Sequence, residues 1–319
     1  MRDLKKGQSL SEVGYQRLER KGISRRDFIK LISMTCLAFG IDPVLAPKMA
    51  DAATENLVKK PIIWMQGLSC TGCSESLLSS LDPSPEQILL DVLSVRFHPT
   101  LMAASGSDAV DGLNECIKNG SYILVLEGAI PTADPRYCMV ENQSFLDLFK
   151  NAAAKAELVL AVGSCASYGG IPRAGITGAK GARDILKGVK LVNLPSCPVK
   201  PTRLVGTLLY YLSNNALPRL DEEGRPVNYY RYTLHDSCFR RLHYESGEFL
   251  QDWNNPDTAD WCLYEKGCKG QETFTTCGGD FWNDGVSFCG FAGSPCAGCS
   301  QPEYYDQLAP LFQNPKEVK

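Results

Sequence analysis

The sequence predicts a doubly wound α/β domain followed by an irregular, cysteine-rich domain. In the middle of the chain, apolar strands alternate with segments of helix length, whereas roughly the last hundred residues show little periodicity. The 319 residues include 14 cysteines, and 44% of all residues are hydrophobic, which is enough to build a core. The net charge of −3 is spread along the chain, so the composition indicates neither a nucleic acid nor an anionic membrane as the main partner.

The N-terminal segment is typical of an export signal. Residues 24–30 read SRRDFIK, which matches the twin-arginine pattern, and a weakly apolar stretch follows at residues 31–41. The small residues ADAA at 50–53 suit cleavage, so we predict a twin-arginine signal over residues 1–52 and a periplasmic location. The alternative is a basic helix start followed by a short core helix. No run of about twenty apolar residues occurs, which predicts no transmembrane anchor.

The sheet domain is expected at residues 53–215, with its strands and helices from Pro61 onward. The strand-like segments are rich in Val, Ile and Leu throughout, as in strands that are buried on both faces. Their sequences are PIIWMQG, ILLDVLSVRF, YILVLEGAIP, ELVLAVGS and VKLVNLPS. The helix-like segments between and after them are CSESLLSSL, DAVDGLNECIKNG, SFLDLFKNAAAKA, GARDILKG and PTRLVGTLLYYLSN. This alternation predicts a parallel sheet with helices on both faces.

Residues 216–319 are expected to form the second domain, which is rich in Gly, Asn, Asp, Trp and Cys. A segment of this composition cannot pack an ordinary core, so it is either disordered or held together by something other than apolar burial. Its aromatic residues argue against disorder. They are Trp253, Trp261, Phe274, Phe281, Trp282, Phe288 and Phe291. Bonds from side chains to bound metal clusters would replace the missing core.

The first ligand set comprises Cys70, Cys73, Cys165 and Cys197. Each of these cysteines follows a predicted strand, so the four thiols should gather at the carboxyl edge of the sheet, where open α/β sheets bind ligands. A CxxC pair by itself could also be a redox pair or half a zinc site. Such a pair would not require the other two thiols at matching places, and the set therefore favours a 4Fe-4S cluster.

Two further ligand sets lie in the second domain. The second set is His235, Cys238, Cys262 and Cys268, in which neutral imidazole replaces one thiolate. The third set is Cys277, Cys289, Cys296 and Cys299. Four thiols suit a 4Fe-4S cluster, and three would suit a 3Fe-4S cluster. Zinc competes for any single set. Three sets in one chain, however, have an evident use as a path for single electrons.

The remaining cysteines are Cys36 in the signal, Cys116, which we expect in a core, and Cys138, which we expect near the first cluster. An exported protein stabilised by disulfides is the alternative to metal binding. Without Cys36 the number of cysteines is odd, and CxxC pairs are strained when bridged internally, so disulfides are disfavoured.

Taken together, the motifs RRDFIK, WMQGLSCTGCSES, EGAIP, GSCASYGG, PSCP, HDSC, GCKG and SPCAGCSQP resemble the small subunit of nickel-iron hydrogenases. The resemblance covers essentially the whole chain. It implies a flavodoxin-like domain that holds a proximal cluster and a C-terminal domain that holds medial and distal clusters. The first set resembles the proximal ligands and the second set the distal ligands, while Cys277, Cys296 and Cys299 resemble the medial ligands.

Three departures from the family pattern refine the resemblance. Many members have proline where this chain has Cys289, and a fourth thiol there resembles the nickel-iron-selenium branch with a 4Fe-4S medial cluster. Oxygen-tolerant members carry extra cysteines where this chain has Gly72 and Gly170, so an ordinary proximal cluster is expected. The loop PSCPVKP replaces a commoner Pro-Gly-Cys-Pro-Pro, a change that leaves the ligand Cys197 in place.

The resemblance also implies partners. It indicates a periplasmic uptake hydrogenase in which a large subunit splits hydrogen at a Ni-Fe site and a soluble multihaem cytochrome c accepts the electrons. The acidic residues Asp252, Asp257 and Asp260 could attract a basic acceptor, although a solvated acidic surface explains them equally well. The cluster-bearing subunit of respiratory complex I is an alternative, but it would lack the second and third ligand sets. Glu127 and residues 74–76 should line the large-subunit interface, with Glu75 bonding helix amides.

Overall fold

A five-stranded parallel sheet forms the centre of the molecule. The computed structural model describes residues 9–20, 22–80, 94–283 and 285–308. The strands are β1 (Ile62–Gln66), β2 (Val95–Phe97), β3 (Ile123–Glu127), β4 (Met139–Val140), β5 (Gln143–Ser144), β6 (Leu158–Val162) and β7 (Leu191–Leu194). The sheet has the order β2-β1-β3-β6-β7, while β4 and β5 form a separate antiparallel hairpin. This is the flavodoxin-like strand order, so the predicted fold class is confirmed.

The strands form where the sequence has uninterrupted apolar runs. Every residue of β3 and β6 is buried, because helices cover both faces of the sheet. The predicted strand segments at 61–67, 122–131, 157–164 and 189–196 each contain one of these strands. Of the segment ILLDVLSVRF, residues 88–93 lie outside the described residues, and strand structure is present at Val95–Phe97.

Six helices belong to the part of the sheet domain that the structure describes. They are α4 (Gly72–Leu78), α5 (Gly106–Asn119), α6 (Phe145–Lys155), α7 (Gly163–Tyr168), α8 (Ala182–Ile185) and α9 (Pro201–Asn214). One apolar cluster joins one face of the sheet to α9, and a second joins the opposite face to α5, α6 and α8. The strands therefore end between two helical layers, and the loops after β1, β6 and β7 emerge at one edge.

The predicted signal segment is helical in this structure. It contains α1 (Leu10–Glu19), α2 (Arg25–Ala38) and α3 (Ala46–Lys59). Phe28, Ile32 and Cys36 repeat every four residues along α2, and all three are fully buried in the cluster that includes α9. The twin arginines lie at the exposed start of α2, where Arg25 pairs with Asp51 at 3.4 Å. This packing is also compatible with the core-helix alternative, and export stays a prediction.

The C-terminal region is irregular, as predicted. Its helices α10 (Val227–Tyr230), α11 (Arg241–Glu245) and α12 (Cys277–Asp280) are no longer than five residues. Single helical turns occur along the chain at Pro43–Leu45, Pro135–Tyr137, Ile171–Ala174, His235–Ser237, Pro256–Thr258, Tyr264–Lys266 and Tyr304–Leu308. Throughout the described residues, each helix is too short or too polar to cross a membrane.

Candidate iron-sulfur ligand sets

The structure brings the first set together at the carboxyl edge of the sheet, as the sequence predicts. Cys70 and Cys73 follow β1, Cys165 lies in α7 directly after β6, and Cys197 follows β7. Burial raises the pKa of Cys165 to about 12, and negative charge on Cys197 and Cys70 adds to this rise. Burial also raises the pKa of Cys73 and Cys197. These thiols become thiolates at neutral pH only beside a strong positive charge, which is what a bound metal supplies.

Glycines leave the sulfur atoms of the first set the room that they need. A Cβ atom added at Gly163 would lie 2.5 Å from the Cys73 sulfur, and one added at Gly170 would lie 2.7 Å from the Cys165 sulfur. Both glycines also have positive φ, which suits residues without a side chain. The Val199 amide donates to the Cys73 sulfur at 3.3 Å. The site therefore combines thiols, close backbone and an amide donor, which fits an iron-sulfur cluster.

A buried carboxylate fixes the loop that carries Cys73. Glu127, at the end of β3, accepts hydrogen bonds from the Trp64 indole at 3.0 Å, the Gln66 amide at 2.9 Å and the Cys73 backbone amide at 3.0 Å. The start of α4 is thus bonded to Glu127, whereas the sequence predicts this role for Glu75. The signal that could have indicated it is a glutamate that directly follows the apolar run ILVL.

The second set assembles around a single helical turn. His235 begins this turn and Cys238 follows it. Burial raises the pKa of Cys238, and negative charge on Cys268 and Cys262 contributes. Burial lowers the pKa of His235, which favours the neutral imidazole that can bind a metal. The His235 backbone amide donates to the Gly270 carbonyl at 3.1 Å, so the loop after Cys268 lies against this turn.

The third set also comes together. Burial raises the pKa of Cys296 to about 12, with added contributions from negative charge on Cys268 and Cys289. Burial raises the pKa of Cys299, and charge on Cys277 and Cys296 adds to it. Cys289 is therefore grouped with the other three thiols. No three His, Cys, Asp or Glu side chains among the described residues are grouped tightly enough for a single metal ion. The ligands of a cluster bind different irons and so lie farther apart.

The three sets are contiguous in space. The thiols of Cys299 and Cys197 are near enough to influence each other, which connects the third set with the first. The Cys296 amide donates to the Cys268 sulfur at 3.3 Å, which connects the third set with the second. The spatial order is therefore first, third and second. Cys116 and Cys138 pack against the apolar cluster of α5 and α6. All 14 cysteines are described, and none of them is in a disulfide.

Several residues that contact these sulfurs carried no signal in the sequence. Trp282 donates from its indole to the Cys277 sulfur at 3.3 Å, and the Thr275 hydroxyl lies 3.0 Å from the same atom. Arg203 of α9 lies 3.5 Å from it. A hydrogen bond from Tyr304 reaches the Cys197 thiol and lowers its pKa, which opposes the larger effect of burial. Thr275 and Trp282 are close to Cys277 in the chain, whereas Arg203 and Tyr304 reach their thiols from distant parts of it.

Two family models match the chain. The model described as NADH ubiquinone oxidoreductase, 20 Kd subunit, matches residues 70–211, and the model for the C-terminal part of the NiFe/NiFeSe hydrogenase small subunit matches residues 230–312. The chain is 40% identical over 311 residues to the periplasmic NiFe hydrogenase small subunit 1 of Nitratidesulfovibrio vulgaris, which covers 95% of this chain and 97% of that protein. The chain belongs to the NiFe/NiFeSe hydrogenase small-subunit family. The match to the NADH ubiquinone oxidoreductase 20 Kd subunit lies in the sheet domain.

The chain is also similar to proteins of the NiFeSe branch of the family. It is 38% identical to the periplasmic NiFeSe hydrogenase small subunit of Desulfomicrobium baculatum, over 91% of this chain and 98% of that protein. The crystal structure of a reduced, active form of the Ni-Fe-Se hydrogenase from the same organism matches with a TM-score of 0.74 and 37% identity, over 80% of this chain and 98% of the matched one. In this family the small subunit holds iron-sulfur clusters and pairs with a large subunit that carries the Ni-Fe site.

Proposed function

We propose that this chain conducts electrons through three 4Fe-4S clusters in a periplasmic uptake hydrogenase. The observation that carries the proposal is the contiguity of the three ligand sets, which run from the edge of the sheet to the C-terminal region. Iron-sulfur clusters accept and release single electrons. Residues of this chain hold them in the order first set, third set, second set. Hydrogen is split at the Ni-Fe site of the large subunit, and the electrons enter at the first set.

Each end of this path has a distinct environment. The first set lies at the loop edge of the sheet, where the large subunit would cover it. Near the second set, the side chains of Leu242, Tyr264 and Trp253 are 73%, 46% and 56% exposed. Asp252, Asp257 and Asp260 are exposed on the adjoining loop. A surface with apolar side chains and acidic neighbours suits a basic electron acceptor, and we propose a soluble multihaem cytochrome c.

The third set supports the more specific assignment to the nickel-iron-selenium branch. Cys289 supplies a fourth thiol beside Cys277 and Cys296, so a 4Fe-4S cluster is proposed there instead of a 3Fe-4S cluster. The relatives include both NiFe and NiFeSe proteins. Selenium itself would be carried by the large subunit. Export of the folded protein by the twin-arginine pathway would allow the clusters to be inserted before transport.

Iron and acid-labile sulfide analysis of the purified heterodimer tests the proposal. Three 4Fe-4S clusters require about twelve irons and about twelve sulfides per heterodimer, beyond the metals of the active site. Cys116→Ser is the matched control, since this thiol lies outside the three ligand sets, and it should retain all of the iron. A wild-type heterodimer with active-site metal but about eight irons or fewer in addition would contradict the proposal.

A further inference from the structure

Arg203 is a fully buried arginine beside the third ligand set. Its Nη2 atom donates to the Thr275 hydroxyl at 2.8 Å and to the Thr276 hydroxyl at 3.2 Å, and it lies 3.5 Å from the Cys277 sulfur. Its Nε and Nη1 atoms have no hydrogen-bond partner within the described part of the chain. Buried donors without partners are destabilising, and a buried guanidinium more so. The guanidinium therefore has donor capacity that no close hydrogen bond to a described residue uses, and its Nη2 atom lies beside the Cys277 sulfur.

Arg203 also lacks a direct ion pair among the described residues, and the negative charge of Asp280, which acts on it, is shared with Lys200. Two other buried cations nearby form ion pairs, Lys200 with Asp280 at 2.9 Å and Arg225 with Asp221 at 2.8 Å. Arg203 has no carboxylate within ion-pair distance among residues 9–20, 22–80, 94–283 and 285–308, and the Tyr230 ring faces it at 5.1 Å. An isolated buried charge is tolerated when an opposite charge lies close by. A cluster bound by four thiolates would provide this negative charge.

We infer that Arg203 is a positioning residue that binds the third-set cluster through Cys277 and raises its reduction potential. This inference rests on the proposed function. Reduction adds one electron to a group that is already negative, and a nearby buried cation stabilises the reduced form more than the oxidised form. A guanidinium does not lose its proton in proteins, so Arg203 takes part in the transfer by its charge alone. The electron arrives from the first set and leaves to the second.

A buried side chain of the opposite charge, a carboxylate, lies beside the first set. The Glu127 carboxylate accepts a hydrogen bond from the Cys73 amide at 3.0 Å, and its negative charge raises the pKa of the Cys73 thiol further after burial. The Glu127 carboxylate would lower the reduction potential of the first-set cluster. The Arg203 guanidinium would raise the reduction potential of the third-set cluster. The difference favours electron flow from the sheet domain into the C-terminal region, which is the direction required for hydrogen uptake.

A redox titration of the heterodimer, followed by electron paramagnetic resonance, tests the role of Arg203. At the wild-type midpoint potential, Arg203→Met should lower the ratio of reduced to oxidised third-set cluster about tenfold, or about 59 mV for one electron. Arg203→Lys keeps the positive charge, so the midpoint potential of its third-set cluster should lie close to the wild-type value. The first-set and second-set clusters should keep their midpoints in both variants. Arg183→Met, at an exposed arginine, should leave all three midpoints unchanged.

An unchanged third-set midpoint in Arg203→Met, with full iron content, would overturn the inference while leaving the proposed function intact. Missing iron in the wild-type protein would instead refute the proposed function. If Arg203→Met fails to fold, pulsed electron paramagnetic resonance of wild-type protein labelled with ¹⁵N-arginine decides the question. We expect a coupling between the ¹⁵N nuclei of arginine and the reduced third-set cluster. This ¹⁵N coupling should be lost in Arg203→Lys. Absence of this coupling in the wild-type protein would overturn the inference.

Discussion

The sheet domain and the C-terminal region are built from the same chain but are stabilised differently. Two extensive clusters of buried apolar residues cover the two faces of the sheet. The buried cluster of the C-terminal region has four members, Leu234, Cys277, Phe288 and Cys296, and two of them are proposed ligands. An apolar core defines the first domain without any ligand. The second region cannot reach a comparable density of buried apolar contacts with the residues that it has.

Polar contacts replace part of the missing core. Arg240 is buried and donates to the carbonyl groups of Gly290 at 2.9 Å, Ala259 at 2.7 Å and Trp261 at 2.6 Å. Its guanidinium thus connects its own segment with the loop at 259–261 and with the loop that contains Gly290. Aromatic rings pack around it, yet Phe291 and Phe239 are 56% and 44% exposed. These contacts order the loops locally. If the proposed clusters are bound, the bonds between cysteine and iron would supply most of the remaining stability.

Removal of iron should have the largest effect, and it should separate the two regions. We expect the C-terminal region to unfold when an oxidant and a chelator strip the clusters from the heterodimer, because its ligand bonds are lost. The sheet domain should keep its core. Limited proteolysis with mass spectrometry should then find new cuts within residues 230–308, while residues 95–215 stay protected. Equal protection of both regions after complete iron loss would show that the comparison is wrong.

Truncation of a core residue should give the next largest effect. Leu160 is fully buried in the centre of β6, and Leu160→Ala should lower the free energy of unfolding of the sheet domain by about 2–5 kcal/mol. Phe288 is the matched residue of the C-terminal cluster, and Phe288→Ala should cost less than the about 3–5 kcal/mol that is usual for buried phenylalanine. Urea unfolding followed by tryptophan fluorescence and by cluster absorbance would measure both.

A larger loss of stability from Phe288→Ala than from Leu160→Ala would contradict the comparison. It would mean that the C-terminal region depends on its small apolar cluster more than on iron. A suitable control is Leu242→Ala, because this leucine is 73% exposed and its removal should change stability little.

Much of the sheet domain could be predicted from the sequence because its signals are local. Strands such as β3 and β6 are continuous apolar runs, and α9 has an apolar repeat and is capped by Asn215, which adopts the left-handed conformation after the helix ends. The helix predicted over the segment GARDILKG is shorter than expected, since the structure is helical only at Ala182–Ile185. The gathering of the first-set thiols was predictable because thiols that follow parallel strands share one edge of the sheet. That the three sets bind clusters stays a prediction.

Contacts between distant parts of the chain could not be predicted in this way. Arg203 looks like an ordinary polar residue of α9 until folding places it beside Cys277, which is 74 residues away. Glu127 reaches the amide of Cys73 across 54 residues. The packing of α2 against α9 depends on the alignment of Phe28 and Ile32 with a surface that is remote in sequence. Hydrophobic periodicity indicates which face of an element is buried, but it does not indicate what covers that face.

Substitution of Cys289 should produce the smallest change, confined to one iron. Cys289 lies with the third set, where the other thiols belong to Cys277, Cys296 and Cys299. Cys289→Pro should convert the 4Fe-4S cluster to a 3Fe-4S cluster, because three thiolates suffice for the smaller cluster, and its potential should rise as one thiolate charge is removed. Electron paramagnetic resonance of the oxidised heterodimer should show a new 3Fe-4S signal, and iron content should fall by about one atom.

Two further variants make this last test specific to the thiol. Cys289→Ala should give the same signal, which would exclude an effect of the proline ring on the loop. Cys138→Ala should leave the spectrum unchanged, because Cys138 packs against the apolar cluster of α5 and α6. If Cys289→Pro and Cys289→Ala both retain a 4Fe-4S cluster, Cys289 is not a ligand. The assignment to the nickel-iron-selenium branch would then lose its support within this chain. The contrast between an apolar sheet domain and a cluster-stabilised C-terminal region would stand, because three thiolates would still hold the third-set cluster.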